Sequence, residues 1–224
     1  MTYFVLPYLN NTIKAKNIKL KFLNKDEKIK IINPSLKNYL NTQKNLISNY
    51  LYDWDIVKKY TNTYEFIHTN VPKFNMSVAK IKPISRAFFK LMEIYNTFNI
   101  FQDMSNKINT FHLAEGPGGF IEATTYLRKK NIKDNYYGIT LINDDKHVPN
   151  WKKMDILLKK FPNISIIYGK DNTGNLQHHV NLQHCAEKYG NSMDIITADG
   201  GFDFSSNFDE QENNVFRLIF TQVS

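Results

Sequence analysis

The stretch FHLAEGPGGFIEATTYL, Phe111–Leu127, decides how the rest of the chain is read. An apolar run ends in an acid, Glu115, and Gly116, Pro117, Gly118 and Gly119 follow with almost no side chains. Then FIEATTYL resumes with helical spacing. A strand, a bare turn and a helix in that order let a ligand lie against backbone at the end of the strand.

Outward from this stretch, strand and helix patterns alternate. Apolar runs at 110–115, 135–142, 164–169 and 193–201 predict strands, and helical spacing marks 85–98, 119–130, 151–161, 176–190 and a helix from 210. In the first of these helices, Phe88, Leu91, Met92 and Tyr95 share one face and Ser85 is placed to cap it. The alternation predicts an α/β fold: a Rossmann-like parallel sheet with helices on both faces. Such sheets bind ligands outside the carboxyl ends of their strands. The residues at those ends are Glu115–Gly119, Thr140–Asp145, Gly169–Asp171 and Asp199–Gly201.

Residues 1–75 read differently, as a small α+β extension. Short strands are expected at 3–7, 18–23 and 28–34, then helix from Leu36 to Tyr60 with Leu40, Leu46, Ile47, Leu51, Trp54 and Val57 at helical spacing. A linker over 68–83, with two prolines, leads into the main domain, 76–224.

The 224 residues carry 42% hydrophobic side chains, enough for a packed core. A formal net charge of +8 points to an anionic partner, most commonly nucleic acid, although the abundance of Lys, Asn, Ile and Tyr also fits an AT-rich gene. The single cysteine, Cys185, excludes an intramolecular disulfide and any multi-cysteine zinc site. No signal peptide and no apolar run of membrane-spanning length is present, so the expectation is a soluble, intracellular protein. His178, His179 and His184 lack metal-ligand spacing, and no metal is expected.

Three ligand classes use a bare turn after a strand. A P-loop needs a Gly-Lys pair, which is absent. A dinucleotide fingerprint needs a third glycine where Ile121 stands, and Pro117 lacks a backbone donor for a pyrophosphate. The remaining class is S-adenosylmethionine (SAM), which has no phosphates to hold.

Three motifs sharpen this. EGPGGF (115–120), ADGGF (198–202) and the helix SRAFFKLMEI (85–94) together resemble the FtsJ-like RNA ribose 2′-O-methyltransferases, and among them the cap-specific mRNA enzymes of eukaryotes and large DNA viruses. The resemblance covers about residues 80–224. It implies SAM as cofactor and RNA, in the form of capped mRNA, as substrate. It makes Lys90 the first catalytic lysine and Asp199 the catalytic aspartate. Glu115, Gly116, Pro117, Gly118, Gly119 and Phe120 would surround the methionine portion of the cofactor. Thr140 and Leu141 would stand at the end of the second strand, and Asp171 near the adenine. Lys82, Arg86, Lys152 and Lys153 are the candidates for RNA contact, since phosphates call for cations.

The resembled family also uses a second lysine and a glutamate further along, for which no place precedes Ser224. The expectation is a truncated chain, or a degenerate partner subunit within a capping machinery. A ribosomal RNA substrate and a nicotinamide-dependent oxidoreductase are the competing readings.

Overall fold

After residue 86, strand and helix alternate to build one parallel sheet. The computed structural model describes residues 31–71, 73–129, 131–145, 148–201 and 208–223. Two units divide the chain, Met1–Thr63 and Tyr64–Ser224.

In the first unit, α1 (Pro34–Ile47) and α2 (Leu51–Thr61) are joined by a single 3-10 turn. The helical periodicity is realised, yet Leu40, Leu46, Trp54 and Val57 are exposed. The strands expected at 3–7 and 18–23 lie outside the described residues, as does most of 28–34. The described end of that last stretch precedes α1 without forming a strand.

In the second unit, α3 (Ala87–Thr97) leads to β1 (Asn109–Leu113), α4 (Gly119–Leu127) and β2 (Asn135–Ile139). A 3-10 turn at Trp151–Met154 opens into α5 (Asp155–Lys160), followed by β3 (Ile164–Ile167), α6 (His179–Tyr189), β4 (Ile195–Ala198) and α7 (Phe208–Val223). The four strands of the described residues pair in parallel in the order β3-β2-β1-β4. The order reverses at β1, so the carboxyl ends of β1 and β4 stand side by side.

Helices pack on both faces of the sheet, leaving Ile196 and Ala198 of β4 exposed, and strand alternation decides which residue goes where. On β2, Tyr136 points into a cluster with Ile121, Trp151, Met154 and Ile164, whereas Ile139 joins Phe111, Leu176 and Tyr189 beneath α6. A third cluster packs α3 on α4 through Phe88, Leu91, Tyr95, Phe120 and Ala123. Each large side chain buried this way contributes about 1.5–3 kcal/mol. Ser85 does not cap α3. Arg86 occupies the N-cap in helical conformation without a side-chain cap, and the buried Ser85 hydroxyl has no hydrogen-bond partner among the described residues. The tight packing of α3 against Gly119 directs that hydroxyl toward α4 instead.

The amino-terminal edge of the sheet is tied by one buried carboxylate. Asp134 accepts two bonds from Arg128 (2.8 and 3.0 Å), one from the Ile108 amide (2.9 Å) and one from the Tyr136 hydroxyl (2.9 Å). Burial acts to raise its pKa, but Arg128 and the other donors outweigh it and hold the carboxyl below the usual range. The end of α4 is thereby anchored to the starts of β1 and β2.

One further buried polar group sits between β1 and β4. His112 is fully buried, with Nε2 3.0 Å from the Thr110 hydroxyl and Nδ1 2.7 Å from that of Thr197. Burial lowers its pKa to about 3, so the ring stays neutral in the fold. The unfolded chain binds a proton near pH 6.5. This contribution to stability is therefore complete above pH 6.5 and is lost as pH falls toward 3. In urea unfolding at pH 7, His112→Leu is expected to cost about 1–3 kcal/mol through its two stranded hydroxyls. The difference from wild type should shrink steadily as the pH is lowered to 4.

Candidate active site

The end of β1 and the start of α4 are held together by Glu115. Its Oε1 accepts the backbone N–H groups of Phe120 (2.9 Å) and Ile121 (2.8 Å), two of the donors that a helix start leaves open. The carboxylate thus caps α4 from before the turn. Burial pushes its pKa up to about 8, the two N–H bonds oppose the rise, and the charge of Asp199 adds to it.

The turn itself is bare for reasons internal to the protein as well as for access. Gly118 has φ +112°, and a Cβ there would overlap the Met154 sulfur. Gly119 is buried against Ser85. Of the three glycines expected to approach a ligand, only Gly116 lines the cleft at the carboxyl ends of the strands. Phe120 also differs from expectation. Its ring is buried in the α3–α4 cluster, because its position on α4 faces α3. Pro117 is half-buried and is not among the residues lining the cleft.

That cleft encloses about 470 Å³, within the ~300–1,000 Å³ of small-molecule sites. Gly116, Thr140, Leu141, Asn175, Gln177 and Asp199 are among its walls. Its described lining includes two carboxylates, Asp145 and Asp199, and no lysine or arginine. A sulfonium or an ammonium suits carboxylates better than a pyrophosphate does, although Lys90 offsets the charge of Asp199. The residues therefore fit SAM better than a dinucleotide.

Asp199 follows β4, and its Oδ2 accepts a 2.6 Å hydrogen bond from Lys90 Nζ of α3. Both side chains are about half exposed, so a substrate can reach them. The two residues singled out on separate motifs thus meet at the rim of the cleft.

Asp171 has a different place from the one expected. It is not among the residues lining the cleft. Oδ1 accepts from the Thr173 hydroxyl (2.7 Å), the Thr173 amide (2.9 Å) and Asn181 Nδ2 (2.8 Å), and Oδ2 lies 2.7 Å from His178 Nδ1. These donors, Thr173 first, hold its carboxyl well below the usual range. They fold the segment after β3 back over the sheet, where Gly174 (φ +64°) comes so close to the Thr140 carbonyl that a Cβ would not fit. The fold-back presents Asn175 and Gln177 to the cleft. Sequence reasoning missed these two, and the turn-forming run DNTGN was the available signal. Lys82, Arg86, Lys152 and Lys153 are all exposed, with Arg86 3.9 Å from Glu65.

The Glu115 cap makes a prediction with a definite sign. Its pKa is raised on folding, so its favourable contribution is present below about pH 4.5 and is lost as pH rises through 8. Glu115→Gln, which keeps an acceptor and cannot ionise, should match wild type near pH 5 and exceed it near pH 9 in thermal melts. Glu115→Ala should lose about 0.5–2 kcal/mol near pH 5, the usual cost of a missing cap.

Comparison with known proteins bears on what this site is. The family model for FtsJ-like methyltransferases matches residues 83–224. The chain is 29% identical over 169 residues to a cap-specific mRNA (nucleoside-2′-O-)-methyltransferase 2 of Drosophila melanogaster, covering 64% of this chain and 22% of that protein. The protein of the same description from Pongo abelii is 29% identical over 199 residues, covering 84% of this chain and 25% of its own length. A cap-specific mRNA (nucleoside-2′-O-)-methyltransferase of Autographa californica nuclear polyhedrosis virus is 31% identical over 139 residues, covering 62% and 48%. The chain thus spans about a quarter to a half of the length of these relatives. With a family match over more than half its residues and a parallel sheet carrying the motifs at its carboxyl ends, the chain belongs to the FtsJ-like methyltransferases.

Proposed function

We propose that this protein transfers the methyl group of SAM to a ribose 2′-hydroxyl of RNA, in the 5′ cap of mRNA. The observation that carries the reading is the 2.6 Å contact between Lys90 and Asp199, at the rim of a cleft suited to a cation without phosphates. Gly116, Thr140, Leu141, Asn175 and Gln177 are the residues that would hold the cofactor. The cofactor supplies a methyl carbon already made electrophilic by its sulfonium.

The chain's own task is then the acceptor. A neutral hydroxyl is a poor nucleophile and must be oriented and relieved of its proton. Lys90 Nζ would receive that proton only in its amine form, and Asp199, which accepts a hydrogen bond from Nζ, would hold the nitrogen in direction and stabilise the ammonium that results. Lys82, Arg86, Lys152 and Lys153 would meet RNA phosphates. The cap as the site of transfer is supported by the likeness to cap-specific methyltransferases and by the EGPGGF and ADGGF motifs. Phe202 of the second motif lies outside the described residues.

SAM should raise the melting temperature of the chain and NAD should not, because only a ligand of the folded state stabilises it. Lys90→Ala should lower methyl transfer to capped RNA by about 10²–10⁴-fold, the range for a lost proton acceptor, with SAM affinity unchanged. Turnover that survives Lys90→Ala would overturn the role of that lysine. Equal transfer to capped and uncapped RNA would overturn the assignment to the cap.

A further inference from the structure

Ahead of α3, the chain displays apolar side chains that the cleft and the catalytic pair do not use. Phe74 is 63% exposed, Met76 64% and Val78 69%. Hydrogen bonds link the described residues around them. Val71 N–H donates to the Met76 carbonyl (2.9 Å), Phe74 N–H to the Val71 carbonyl (3.0 Å), and Asn70 Nδ2 to Asn75 Oδ1 (3.1 Å). Val78 N–H donates to the Phe66 carbonyl (2.8 Å), which ties the turn to the 3-10 helix at Thr63–Ile67.

The segment's own charge is mainly positive, with Glu122 of α4 accepting from the Ile84 amide (2.7 Å) at its far end. Lys73, Lys80, Lys82 and Arg86 are exposed, and the single acid among residues 64–86 is Glu65, which stands 3.4 Å from His68 and 3.9 Å from Arg86. Arg86 is one helical turn before Lys90, so the Glu65 contact places this segment beside the start of the helix that carries the catalytic lysine. A solvent-facing aromatic ring among cations is what an unpaired nucleotide binds. The base stacks on the ring and the phosphates meet the lysines.

We propose that residues 73–82 form a single-stranded RNA surface, with an unpaired base stacked on Phe74 and the backbone phosphates on Lys73, Lys80 and Lys82. The proposal rests on the reading of RNA as substrate and adds the place where the strand is gripped.

Fluorescence anisotropy with a short unstructured RNA, capped and uncapped, tests it, with SAM binding measured on the same samples. Phe74→Ala should weaken RNA binding about tenfold or more while SAM affinity stays unchanged, and Phe74→Trp should restore it. Lys82→Ala should reduce the slope of log affinity against log salt by about 0.7. A loss confined to capped RNA would identify the stacked base as the cap guanine. A loss on both RNAs would identify it as a transcript base. RNA affinity unchanged in Phe74→Ala overturns the proposal and leaves the patch to a protein partner. A chain that binds SAM but not RNA overturns it as well, with the cofactor reading intact. A chain that loses RNA with Phe74→Ala yet never binds SAM supports the surface and sinks the methyl-transfer reading instead.

Discussion

β1 pairs with β2 on one side and with β4 on the other, and the site depends on that double pairing. Parallel strands bring their carboxyl ends to the same edge. With β1 at the reversal of strand order, the glycine turn after β1 and the Asp199 turn after β4 become neighbours. The helices that follow β1 and β2 pack on one face of the sheet and α6 on the other, so the edge between them stays open as a cleft. His112 in β1 meets Thr197 in β4 within the core, a directional contact that adds to the register set by the ladder.

Two carboxylates close to this edge have opposed tasks. Glu115 is buried and turned back onto α4, where it satisfies the helix start. Asp199 is half exposed and turned outward onto Lys90. The charge of Asp199 disfavours ionisation of Glu115, so the two are electrostatically linked across the turn. A cation in the cleft would relieve both, which is a physical reason for a sulfonium cofactor to suit this arrangement. The position of Lys90 depends in turn on α3, held on α4 by Phe88, Leu91 and Phe120 and by the buried contact of the Tyr95 and Thr124 hydroxyls at 3.1 Å.

Much of the fold was legible in the chain. Apolar runs with alternating faces, such as NYYGI, gave strands, and the spacing of Phe88, Leu91 and Tyr95 gave a helix with the right face inward. These patterns are local and reflect burial directly. Helix starts were less legible. Ser85 has the composition of a cap, but the close packing of α3 on Gly119 turned its hydroxyl away. On α1 and α2 the periodicity was right, while the exposure of Leu40 and Trp54 could not be read from it. Periodicity reports which residues share a face, not whether anything covers that face.

For the site, the sequence by itself determined the kinds of group present: a bare turn, an acid before it, a lysine on the preceding helix and an aspartate after the last strand. Their order and spacing also favoured SAM over a phosphate-bearing cofactor. Only the tertiary structure decided which of them meet. Lys90 and Asp199 are 109 residues apart and come within 2.6 Å because α3 packs on α4, the helix that follows β1, and β4 pairs with β1. Gly118 and Phe120 belong to the motif yet face Met154 and α3, whereas Asn175 and Gln177 reach the cleft through bonds that Asn181 donates to Asp171 and to the Asn175 carbonyl. Side-chain chemistry is written residue by residue, but proximity across the sheet is set by long-range pairing and packing, which no local pattern encodes.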